Sequence, residues 1–141
     1  MISELIHHGQ LSANSKYAEI EAELILINEG KHYQNLKGFI DTGASKSAIH
    51  VDVVNKDLDL SSYETVQNRG ANGSYDCVRI NNVGIILPSL NAETYTGTIY
   101  IDTTTMNNGY DIIIGCDVLS VCEFIYNGRN GTYQLKYLKE A

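Results

Sequence analysis

The sequence predicts a single, mostly β domain, and three observations carry that expectation. Apolar residues recur mainly with a period of two in short runs, Asn- and Gly-containing turn signals separate those runs, and only two short segments have helical spacing. At 141 residues and 43% apolar content, the chain is long enough for one core and too short for two ordinary domains.

In chain order, residues 1–17 are polar and poorly periodic and read as a loosely held arm, ahead of a domain expected over 18–141. A self-cleavage site or an interface strand is an open alternative for the arm. His7 and His8 are adjacent, so on an extended segment they point apart, and no metal site is expected there. Residues 18–28 begin as an alternating strand, with Glu19, Glu21 and Glu23 opposite Ile20, Ala22, Leu24 and Leu26; Ile25 and Ile27 then make both faces apolar. Asn28-Glu29-Gly30-Lys31 turns the chain into a second strand, 32–40, which delivers Asp41 at its end.

A short strand is expected at 47–50, and Val51, Val54 and Leu58 have helical spacing, with Asp52 near the start. Two strands, 63–68 and 75–87, flank Gly70-Ala71-Asn72-Gly73-Ser74, and Asn81-Asn82 marks a bend or bulge in the second. After a loop at 88–92 come a Thr- and Tyr-rich strand at 93–102, a turn at Asn107-Asn108-Gly109, and the β-branched run Ile112–Ile114. Asp117 reads as the N-cap of a second short helix. Residues 122–127 and 132–138 form a last hairpin.

Ten Lys and Arg against 17 Asp and Glu give a formal charge of −7, which describes an acidic soluble protein and argues against nucleic acid as a partner. Residues 1–10 lack the basic start and apolar stretch of a secretory leader. No apolar run approaches the roughly 20 residues of a spanning helix, so the cytoplasm is the expected compartment, without a membrane partner. Cys77, Cys116 and Cys122 are odd in number and lack metal-ligand spacing; they read as reduced and partly buried.

The residue that calls for an explanation is Asp41. It follows Phe39 and Ile40 and precedes Thr42, Gly43, Ala44, Ser45 and a second run of small and apolar residues, a setting where water is scarce. A carboxylate there needs hydrogen bonds, a partner or a proton. Asp-Thr-Gly is also a good turn sequence in its own right. Two further pieces extend the pattern: the glycine-rich turn at 70–74, and Ile112-Ile113-Ile114-Gly115 followed by Cys116 and Asp117.

In this order the three pieces resemble the retropepsin-like aspartic proteases, over about residues 18–137. In that family an apolar-Asp-Thr-Gly-Ala loop carries the catalytic acid, a glycine-rich hairpin forms a flap, and an apolar-apolar-Gly strand closes around the loop before a short helix. The resemblance implies a closed, barrel-like β protomer with one or two short helices. It also implies a catalytic role for Asp41, a hydrogen bond across a twofold axis for Thr42, and close approach of substrate backbone at Gly43. Ala71, Asn72 and Gly73 would grip substrate from the flap, with Ala44 and Ser45 contacting it from the opposite side. Ile49 and Ile112 read as core.

Carboxylate-driven peptide hydrolysis needs one group to take a proton from water and another to give one to the carbonyl oxygen. With one Asp-Thr-Gly per chain, the pair has to form across a homodimer axis, Asp41 facing its symmetry mate. Such a pair shares a proton, as aspartic-protease dyads do. No metal or organic cofactor is required, and the expected partners are a second copy and a peptide or protein substrate. The alternative is an inactive peptide-binding module on the same fold. Where retroviral members carry an acid and an arginine that pair behind the loop, this chain has Ser45 and Cys116, so the pattern is nearer to cellular or bacterial members. Lys46 and Asp117 are the available substitutes, each more simply read as solvated or capping.

Overall fold

The computed structural model describes residues 2–13, 16–70, 73–102 and 109–140. Among these residues, ten strands and two one-turn helices follow in order: β1 (Ile2–Gln10), β2 (Glu19–Leu26), β3 (Lys31–Ile40), β4 (Ala48–His50), α1 (Val51–Val54), β5 (Glu64–Gly70), β6 (Gly73–Leu87), β7 (Ala92–Asp102), β8 (Ile112–Ile114), α2 (Cys116–Leu119), β9 (Cys122–Asn127) and β10 (Thr132–Glu140). The mostly β expectation holds. Among the described residues, no helix is long and apolar enough to cross a membrane.

Six strands close a barrel in the order β2, β3, β8, β4, β7, β6, and the seam is the antiparallel pairing of β2 with the far end of β6, from Glu23↔Ile86 to Leu26↔Val83. Alternation along β2 explains why it can sit there: Ile20, Ala22, Leu24 and Leu26 point into the barrel, where Ile80, Ile85, Ile99, Ile101, Ile112 and Ile114 meet them. β6 is long enough to do two things. Its first half pairs with β5 in a hairpin down to Gly70↔Gly73, and its second half belongs to the barrel wall. The break expected at Asn81-Asn82 is a register shift between Ile80 and Val83, with Asn82 at φ +57°.

Residues 2–10 correct the expectation of a loosely held arm. β1 pairs along its whole length with β10, which pairs on its other side with β9, so the arm is the edge of a three-stranded sheet. Its inward side carries Leu5, His7 and Gly9, and the Tyr133 ring occupies the space where a side chain at position 9 would be. Leu11 continues the docking, buried and hydrogen-bonded through its N–H to Gly131. One Leu in three inward positions, with Ile6 on the outward side, gives almost no period-two signal, and that hid this strand.

The helix with spacing over 51–58 is shorter than that pattern, Val51–Val54, and the chain continues with a bond from Leu58 N–H to Val54. Its N-cap is His50, whose Nδ1 accepts the Asp52 N–H at 3.2 Å. The loop expected at 88–92 contains a 3₁₀ turn, Pro88–Leu90, ended by Asn91 at φ +49°. The Asn107-Asn108 part of the expected turn lies outside the described residues.

Candidate active site

Asp41 stands at the end of β3, in a loop whose two flanking strands, β3 and β4, are both paired to β8. β8 runs parallel to β3 (Phe39↔Ile113, Ile40↔Ile114) and antiparallel to β4 (Ala48↔Ile113, Ile49↔Ile112). Asp41 continues the ladder, donating its N–H to Ile114 O at 2.9 Å. Alternation then decides where its side chain goes. Ile40 is buried in the barrel, so Phe39 and Asp41 share the outer face, and both are half-buried. Water is therefore partly excluded from Asp41, less than the apolar flanks suggest.

The loop is a tight turn around the carboxylate. Oδ1 of Asp41 accepts the Gly43 N–H at 2.9 Å, and its backbone carbonyl accepts the Ala44 N–H at 3.2 Å. Thr42, Gly43 and Ser45 are exposed. Ala44 is half-buried, and its backbone is spoken for on both sides, because its carbonyl accepts the Cys116 N–H at 2.7 Å. Ala44 is thus a brace of the loop. The Cys116 thiol adds a contact, donating to Thr42 O at 3.3 Å.

Behind the loop lies a polar link that the sequence reading missed. Ser47 is 0% exposed; its N–H and Oγ donate to the two oxygens of Asp117 at 2.8 and 2.6 Å, and its Oγ accepts the Gly115 N–H at 2.9 Å. Asp117 is not the N-cap: Gly115 holds that position, without a side-chain cap bond. Asp117 bonds instead to Ser47 and to the next N–H, of Val118, at 2.8 Å. Local capping preference was the only signal visible around Asp117, whereas its partner is remote in sequence. Gly115 is demanded by proximity, since a Cβ there would lie 2.7 Å from the Lys46 carbonyl carbon and 2.8 Å from Ala44 O.

Along the outer face beside Asp41 runs an aromatic shelf. Tyr17 stacks on Phe39 with ring centroids 4.7 Å apart, and Tyr110 lies 5.1 Å from Phe39 on another side, under the Lys37 ammonium at 5.3 Å. Ile49 and Ile112 are each 1% exposed, as expected of core residues. In the β5–β6 hairpin, Gly73 has φ +110°, and no atom of the described residues lies within 4 Å of where a Cβ would be; Ala71 and Asn72 lie outside the described residues. Cys77 is buried and Cys122 half-buried, but Cys116 is exposed beside the loop, contrary to the partly buried expectation for all three. Among the described residues, no three His, Cys, Asp or Glu side chains come together to hold a metal ion.

No protein-family model matches the sequence, and no curated protein matches it. Among solved structures, the chain is similar to a retropepsin-like aspartic protease from Rickettsia conorii, at a TM-score of 0.67 over 99% of this chain and 95% of that one, with 16% sequence identity. Similarity over both whole chains at so low an identity speaks for the backbone arrangement and not for any residue. The chain has the retropepsin-like acid-protease fold.

Proposed function

We propose that the protein is an aspartic endopeptidase, acting on extended, mainly apolar peptide segments, with a catalytic pair made of Asp41 and the partner subunit's Asp41. The observation that carries this reading is the placement of Asp41: on the outer face at the mouth of a tight loop, one carboxylate oxygen fixed by the Gly43 N–H, and the loop braced from behind by Ser47, Gly115 and Asp117.

Two carboxylates about 3 Å apart, at an effective dielectric near 20, would repel by about 5 kcal/mol if both were ionised. One proton is therefore shared between them. The ionised member takes a proton from the attacking water while the protonated member donates to the carbonyl oxygen, giving a tetrahedral intermediate; the proton taken from water then passes to the leaving nitrogen as the C–N bond breaks and the amine is released, and the intermediate's hydroxyl returns a proton to the pair. Thr42 ties the two loops across the axis and Gly43 admits the substrate backbone. The β5–β6 hairpin, with Ala71, Asn72 and Gly73 at its turn, closes over the bound strand, and Ser45 faces it from below.

The test is initial rate against pH on an apolar peptide library, for wild type and Asp41→Asn, together with light scattering across a dilution series. Wild type should behave as two chains per particle. Its activity should be bell-shaped in pH, with the optimum on the acid side of neutrality or close to it, because only the singly protonated pair holds both a base and an acid. Asp41→Asn should stay dimeric and fall to background. Equal rates in the two proteins would remove Asp41 from the mechanism; an inactive wild-type dimer at every pH would leave a peptide-binding module.

A further inference from the structure

The chain between β1 and β2 ends on an exposed aromatic ring whose backbone is held from every side. Tyr17 is 43% exposed, yet its N–H donates to the Ser12 hydroxyl and its carbonyl accepts the Ser12 N–H, both at 2.9 Å. The neighbouring carbonyls are engaged as well. Tyr126 of β9 donates its hydroxyl to Lys16 O at 3.0 Å, Ile40 donates its N–H to Ala18 O at 3.0 Å, and Tyr133 of β10 donates its hydroxyl to Glu19 O. Lys16 itself stands at φ +58°, a conformation that residues other than glycine adopt uncommonly. Backbone strain of that kind persists only where the surroundings impose it, and it gathers at active sites and ligand clamps.

The ring so held lies beside Asp41. β2 and β3 pair antiparallel with Glu19 opposite Phe39, and the bond from Ile40 N–H to Ala18 O carries that register one residue further, which brings Tyr17 level with Asp41. Tyr17 stacks on Phe39, centroids 4.7 Å and planes 20° apart, and Tyr110 is tilted against it by 54° at 6.3 Å. Tyr110 is only 9% exposed and belongs to the packing. Tyr17 has one face against Phe39, and the rest of its ring is the part of the aromatic shelf that a ligand can reach.

Resting on the peptidase reading, we infer that Tyr17 is a specificity residue whose free face takes an aromatic side chain of the bound peptide, close to the bond that the Asp41 pair cleaves, and that Tyr126 is the positioning residue that keeps the ring there. Ring against ring gains attraction beyond the area buried, which an aliphatic side chain of similar size does not. A ring already fixed by its surroundings also loses little freedom when the peptide arrives. Tyr126 acts at one remove, through the carbonyl of the strained residue before Tyr17.

The experiment uses Asp41→Asn protein, so that peptides bind without being cut, and capped peptides of alanine and serine that carry a single Phe or a single Leu, walked through successive positions. At one position the Phe peptide should bind roughly three- to tenfold more tightly than the Leu peptide. Tyr17→Phe should keep that preference, and Tyr17→Leu, which still covers Phe39, should abolish it. Tyr126→Phe removes only a hydroxyl; it should weaken the preference when Tyr17 is present and change nothing further in the Tyr17→Leu protein. No Phe preference at any position, a preference that survives Tyr17→Leu, a Tyr126→Phe effect of equal size in both backgrounds, or no binding of either peptide would overturn the assignment. Loss of the dimer on Tyr17→Leu, read by light scattering, would overturn it too, by giving the ring to the partner subunit. Hydrolysis by the Asp41-intact protein is measured separately. A Phe preference that depends on Tyr17 in a protein that cuts nothing would defeat the peptidase reading and leave the aromatic contact standing; cleavage indifferent to Phe and Leu would do the reverse.

Discussion

The Ser47 hydroxyl meets the Asp117 carboxylate at 2.6 Å across 70 positions of sequence, and the same oxygen takes the Gly115 N–H. One buried side chain thereby fastens the Asp41 loop to the strand and helix that follow it. Ser47→Ala would leave the Gly115 N–H without its acceptor and Asp117 with one donor fewer. The expected loss is about 1–3 kcal/mol of stability in urea titration, with peptide turnover reduced alongside it. Unchanged stability would show that the link is idle.

Gly73 sits at φ +110° in the hairpin turn, with no atom of the described residues near the site of a Cβ. Gly73→Val meets no packing obstacle but resists that backbone conformation, since β-branched residues rarely take positive φ. The substitution should lower kcat/KM for peptides while the melting temperature changes by only a few degrees. Normal turnover would detach the hairpin from substrate binding.

The three thiols should separate by reactivity. Burial pushes the Cys122 thiol up to about 11 and raises Cys77 as well, with Asp102 and Asp76 adding to the latter, so neither forms thiolate readily; Cys116 is exposed. Alkylation of the native protein with iodoacetamide should label Cys116 alone at early times, and all three after denaturation. Early labelling of Cys77 would contradict the packing of β6 against β7.

His7 sets an acid limit on the docking of β1. Burial, with His8 beside it, holds its imidazole below the ordinary 6.5, and its Nε2 lies 3.0 Å from the Tyr133 hydroxyl, which itself donates to Glu19 O. The unfolded chain binds the proton at a higher pH than the fold does. The stability is therefore complete above about pH 6.5 and is lost as pH falls through that value toward the lower folded one. Between about pH 7.5 and about pH 5.5, the melting temperature of wild type should fall more than that of His7→Gln. Parallel curves would show that His7 does not hold the strand.

Asp41 at the end of a strand was legible, because the turn at Asn28-Glu29-Gly30-Lys31 and the apolar pair Phe39-Ile40 mark the two ends of that strand. The hairpins were legible for the same local reason. What was not legible is what depends on distance. The barrel seam between β2 and β6 leaves no mark on either strand, because Leu24 and Leu26 would be apolar against any neighbour. Asp117 looks like a cap from its own surroundings, and only the fold reveals Ser47 beside it.

β1 and β10 lie side by side, yet the paired residues Gln10 and Thr132 are 122 positions apart in the numbering, so β1 waits for its partner during synthesis. At about 5–20 residues per second, that wait is roughly 6–25 s on the ribosome. Throughout it, Leu5 and Leu11 have no sheet to cover them. Three of its four described outward residues, Glu4, His8 and Gln10, are polar, with Ile6 the apolar exception; they made the segment look like a tail, and polar side chains of this kind blunt an unpaired edge. The same property orders the assembly: the three-stranded sheet is completed only once β10 is made, so a nascent chain can have its Asp41 loop built before it has that sheet.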